Sequence, residues 1–134
     1  MPLLAPISVG ELYDKITILE IKAELIADPA QRINVQRELA ALETVRGRQA
    51  PASPELEKLR GELKGVNRRL WGIEDALRDH EREGRFDAGF VELARSVYRE
   101  NDRRAALKRQ ISELTGSEIV EEKSYGVGYD LPGG

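Results

Sequence analysis

The chain has 134 residues, of which 34% are charged, 40% hydrophobic and 5% aromatic, with a formal net charge of -3 and no cysteine. That length suits one domain, the absent thiols exclude disulfides and thiolate chemistry, and the single histidine, His80, argues against a histidine-based metal site. Residues 117–134 take one of the 21 basic and four of the 24 acidic residues, leaving 20 of each in residues 1–116, a balance that argues against binding a nucleic-acid backbone.

Residues 7–27 open with a helix start. Ser8 is placed to cap it, Glu11 stands where a capping box needs it, and Ile7 and Leu12 stand at the ends of a hydrophobic staple. Val9, Leu12, Ile16, Leu19, Ala23 and Ile26 form one apolar stripe, and Ile18, Ile21 and Leu25 form a second, roughly opposite. A helix apolar on two faces belongs at the centre of a bundle. Asp14 lies on the second stripe, where a carboxylate needs a cation or hydrogen-bond donors.

Asp28, Pro29 and Gln31 start a second helix, with Val35, Leu39 and Leu42 as a narrow stripe and Gly47 as its expected stop. Residues 47–53 read as the clearest loop. Ser53 and Pro54 start a third helix with an unbroken heptad seam of Leu56, Leu59, Leu63, Val66, Leu70, Ile73, Leu77 and His80, ending near Gly84. Gly61, Gly65 and Gly72 inside it mark either close approach of another helix or a softened exposed face. Asp87 caps a fourth helix, expected over Ala88–Thr115, whose seam of Phe90, Leu93, Val97, Leu107, Ile111 and Leu114 is interrupted by Glu100 and Arg104. The short turn makes helices three and four antiparallel neighbours. After Gly116 no helical period remains, and Ile119, Tyr125 and Tyr129 are the expected anchors of an extended tail. The fold expected is therefore an all-α antiparallel bundle of four helices, two of them long. It forms a single domain over 1–134, with the bundle in 1–116 and an extended acidic tail in 117–134. Two long helices beside two shorter ones leave seam uncovered, which leads us to expect a homodimer. With no basic leader and no long apolar run, the expectation is a cytoplasmic protein without a membrane span or a bound cofactor.

Polar residues gather beside these seams. Asn67, Trp71, Glu74 and Arg78 form a row on helix three, and antiparallel pairing sets Trp71 level with Glu100 and Asn67 level with Arg104. With Asn101 and Lys108 on helix four and Asp14 on helix one, these residues define a slot for an anionic small molecule. Arginine and lysine would hold its charge, asparagine would orient it and Trp71 or Tyr98 would stack on it. The competing structural reading makes Glu74, Arg78, Glu100 and Arg104 interhelical ion pairs that set register. On that reading Trp71 fills the core, Asp14 pairs with Lys108 or Arg104, and Glu121 and Glu122 belong to a solvated tail.

Three segments carry a resemblance: residues 8–22 (from Ser8-Val9-Gly10-Glu11 to Lys22), residues 66–75 with Trp71 and Glu74-Asp75, and residues 90–109 with Tyr98, Asn101-Asp102 and Lys108-Arg109, followed by Glu121-Glu122. Through these the chain resembles an uncharacterised bacterial family of short helical proteins, a domain of unknown function. That resemblance implies a helical fold and no activity. Asn67, Leu70, Trp71, Glu74, Asp75 and Arg78 are also similar to a motif in a second uncharacterised helical family that accompanies sugar transferases of surface-polysaccharide assembly. The leading functional expectation is a helical interaction or accessory module, linked to surface-glycan assembly and acting beside a protein partner. The alternative is a binding protein or enzyme whose interhelical slot takes a phosphorylated or sugar-derived anion.

Overall fold

The computed structural model describes residues 2–49 and 52–122, and their regular structure consists of four helices: α1 (Val9–Leu25), α2 (Pro29–Gln49), α3 (Pro54–Glu83) and α4 (Ala88–Thr115). The helix ends follow local side-chain chemistry. Ser8, Ser53 and Asp87 each sit in extended backbone and accept a hydrogen bond from the amide three residues on, a contribution of about 1 kcal/mol apiece. Gly84 and Gly116 end α3 and α4 with φ of 64° and 67°, a left-handed conformation in which a side chain would strain the backbone.

α1 is the hub. It packs against all three other helices, and α3 packs along α4 as an antiparallel hairpin. Tyr13, Leu56, Leu63, Val66, Leu70, Leu107 and Ile111 form the core, with Val9, Leu59 and Val97 against it. α2 lies on the outer side of α1, and Val35 is the one residue it buries. Its second attachment is polar: the Arg60 guanidinium bridges Glu20 of α1 (3.1 Å) and Glu43 of α2 (2.7 Å) and lies 5.9 Å from the centre of the Tyr13 ring.

Several expectations are corrected. α1 starts at Val9, as the Ser8 cap implies, but ends at Leu25, because Ile26 already has extended backbone; Ile7 and Leu25 remain exposed. Gly47 does not stop α2, which continues to Gln49; nothing packs there to exact more than the roughly 1 kcal/mol that glycine costs a helix. Of the two readings of the α3 glycines the exposed face holds: Gly61 and Gly72 face open space and Gly65 meets only the end of Arg69, so they mark no helix crossing. The close crossing is at Gly10, where an added Cβ would stand 2.2 Å from the Lys108 carbonyl oxygen and 2.9 Å from Ser112 Oγ. Tyr125 and Tyr129 lie outside the described residues.

Candidate functional site

Asp14 lies in the second turn of α1 and is 1% exposed. Arg104 of α4 grips it with two prongs, Nε donating to Oδ1 at 2.9 Å and Nη2 to Oδ2. Asn67 Nδ2 of α3 donates to Asp14 Oδ1 at 3.0 Å and to Thr17 Oγ1 at 3.0 Å. The Thr17 hydroxyl donates to the Asp14 carbonyl at 2.9 Å. Three helices are thus pinned at one level by a satisfied network, the condition under which a buried charge is tolerated. The hydrogen bond to Asp14 raises the Arg104 pKa further above its ordinary value. The two partners differ in exposure: the carboxylate is sealed, while the Arg104 side chain is 31% exposed. The network therefore presents an oriented guanidinium at the surface, its position set from beneath.

Arg104 and Asn101 form a ridge between two clefts. One, of about 460 Å³, runs along α4 past Val97, Tyr98, Ala105, Lys108 and Arg109 to Ser8 and the segment bearing Glu121 and Glu122. The other, of about 420 Å³, lies between α3 and α4 and is lined by Asn67, Leu70, Trp71, Glu74, Asp75 and Arg78, with Ile18 of α1. The structure thus sets Asn67, Asn101 and Arg104 close together above Asp14. Lys108 stands one turn along α4, and Trp71, Glu74 and Arg78 line the wall of the second cleft.

Of the four charges expected in interhelical ion pairs, Glu100 and Arg104 form them, with Arg69 of α3 and Asp14 of α1, while Arg78 and Glu74 do not. Glu100 Oε1 accepts from Arg69 Nε at 3.2 Å, Arg78 pairs with Asp75 at 3.8 Å on the surface, Arg104 turns to Asp14, and Glu74 is exposed. The start of the tail is solvent-exposed, as expected, yet it is also tied to the bundle by ion pairs. Lys108 Nζ donates to Glu11 Oε2 and, at 3.1 Å, to Glu121 Oε2, while Arg109 Nη1 donates to Glu122 Oε2 at 3.0 Å. Burial works against the Lys108 ammonium, but these two carboxylates outweigh it and its pKa is raised. Burial likewise works against the Glu121 carboxylate, and the Lys108 hydrogen bond overcomes it, lowering the pKa.

Sequence reasoning assigned no role to Ser112 or Ser117. Ser112 Oγ is buried and accepts from Gly10 N at 2.9 Å; Ser117 Oγ accepts from Val9 N at 3.1 Å. With Ser8 on Glu11 N, three serines satisfy the first amides of α1. Serines at a helix end are legible as caps of their own helix, but no spacing shows that they serve another. Chemically the site offers an oriented arginine, the Asn101 amide and a lysine beside an aromatic wall, a donor set that takes carboxylate or phosphate oxygens, while the Asn67 amide is already spent on Asp14 and Thr17.

Fold and site together define an all-α protein, built on a central helix, whose buried aspartate orients an arginine between two surface clefts. The chain belongs to the family of unknown function DUF6165, whose model matches residues 3–133. No curated protein and no solved structure matches it. Among the described residues, no helix is long and apolar enough to cross a membrane.

Proposed function

We propose that this protein binds a small anionic molecule, with the anion held at Arg104 and the rest of the ligand lying in the flanking clefts. One observation carries the reading: the guanidinium that lines both clefts is fixed by a sealed carboxylate and has no need to reorganise when a ligand arrives. Asn101 is beside it to orient the anion, Lys108 adds charge, and Trp71 offers a face for a ring. The resemblance of residues 67–78 to a family that accompanies sugar transferases supports a sugar-derived anion. The test is calorimetric titration with glucose 1-phosphate and with inorganic phosphate at low salt. Wild type should bind the sugar phosphate more tightly, and Asn101→Leu with Lys108→Met should lose about tenfold or more in affinity, the worth of about 1.4 kcal/mol. Equal, unsaturable heats from both proteins would refute the reading.

A second reading, an interaction module, is supported by the hairpin. The ion pairs and hydrogen bonds of α1 to the hairpin fall on residues 60–68 and 104–112. Beyond them Phe86, Val91 and Tyr98 are exposed. A homodimer formed through this half would sediment at about twice the 15.0 kDa chain mass at micromolar concentration, and a monomer would count against it.

A further inference from the structure

We propose that residues 117–122 form a strap that lines the α4 cleft with the chain's own carboxylates, so that an incoming anion competes with Glu121 and Glu122 for Lys108 and Arg109. The inference rests on the anion-binding reading above and adds how access to the site is controlled.

The strap is firmly held at one end. The left-handed turn at Gly116 lets Ser117 N donate to Ser112 O at 2.8 Å, and Ser117 Oγ, while accepting from Val9 N, donates to Ile119 O at 2.7 Å. Farther along, the attachment changes in kind. Ile119 and Val120 stay more than a third exposed, so little apolar burial holds the strap down. What holds it is charge. Glu121 accepts from Ser8 Oγ at 3.1 Å and from Lys108 Nζ at 3.1 Å, and Glu122 accepts from Arg109 Nη1 at 3.0 Å. The Glu121 and Glu122 side chains are 50% and 74% exposed, and such pairs are weak and screened by salt.

The position of Glu121 matters as much as its strength. Its carboxylate stands beside Ser8, at the positive N-terminal end of α1, and on Lys108. An anion in the cleft would use these same donors. Both strap glutamates line that cleft together with Arg104 and Asn101. When the strap leaves, Lys108 keeps Glu11 and Arg104 keeps Asp14, so the site remains formed and changes only in losing two negative charges. Displacement by an anion therefore needs no rearrangement of the helices.

The experiment is an NMR titration with inorganic phosphate at low salt, on the wild-type protein and on Glu121→Gln with Glu122→Gln. The backbone amides of residues 117–122 report the strap, and those of residues 101–109 report the cleft. In wild type, phosphate should move the strap amides toward their positions in the double variant. The variant should bind phosphate about fivefold more tightly, the loss of competition equivalent to one well-placed exposed ion pair. Equal affinity in the two proteins, with wild-type strap amides unmoved at saturation, would overturn the strap while leaving the anion site standing. No binding in either protein, with the variant's strap amides visibly released, would overturn the anion site and the inference with it.

Discussion

At the scale of single residues, the pair that matters is Asp14 and Arg104. Removing one member of a buried pair strands the other's charge, so Asp14→Ala should cost about 3–5 kcal/mol in urea unfolding. Unchanged stability would mean that the network of Arg104, Asn67 and Thr17 stabilises nothing. That Asp14 needed a cation was legible from its place on an apolar stripe. Which cation was not, because Arg104 and Lys108 lie four residues apart on one face of α4 and spacing cannot choose between them. The structure gives Asp14 the arginine, whose planar fork fits both oxygens, and gives Lys108 to Glu11 and the strap. Gly10 was not legible at all. A glycine in a capped first turn carries no mark of what crosses it, and three other glycines drew attention to α3 instead. Gly10→Ala forces a methyl group into the Lys108 backbone, and the expected loss is about 1–3 kcal/mol, seen as a lowered Tm. A Tm equal to wild type would show that α1 and α4 do not cross there.

Among the elements, the helix starts and the two left-handed stops could be read from the sequence because each depends on one or two adjacent residues. Ser8, Ser53 and Asp87 cap as their identities require, and Gly84 and Gly116 take the backbone conformation only glycine adopts freely. Gly47 was misread for the same local reason: glycine permits a stop without imposing one. The strap was beyond local reading, since its partners lie on α1 and α4, and two adjacent glutamates after a bundle look like a solvated end. Its dependence on pH follows from the lowered pKa of Glu121. A carboxylate with a folded value below the ordinary 4.5 contributes stability above 4.5, and that contribution is lost as the pH falls through the lower folded value. Lys108, raised above its ordinary 10.5, stays charged throughout that range. The strap amides should therefore shift to released positions as the pH drops below about 4.5, while the amides of α3 and α4 hold theirs. Strap signals that ignore acid would show that Glu121 does not hold it.

For the molecule as a whole, geometry follows from one difference in length. α1 has 17 residues and α3 has 30, roughly 25 Å against 45 Å at ~1.5 Å per residue, so a central helix cannot cover the hairpin it organises. The covered half is pinned by Asp14, and the clefts open beside the pin, with Arg104 at the boundary. The heptad seams foretold the hairpin and the two faces of α1 foretold its centrality. The clefts depend on where three helices diverge, which periodicity does not encode. The central claim, that Arg104 is a pre-set anion site, is tested most directly by following its Nε–H resonance during titration with glucose 1-phosphate. The expected result is a saturable shift of Arg104 Nε–H and of the Asn101 side-chain amide with one common midpoint, while the Arg68 and Arg82 side chains stay put. Shifts that grow without saturation, and equally on all the arginines, would contradict it.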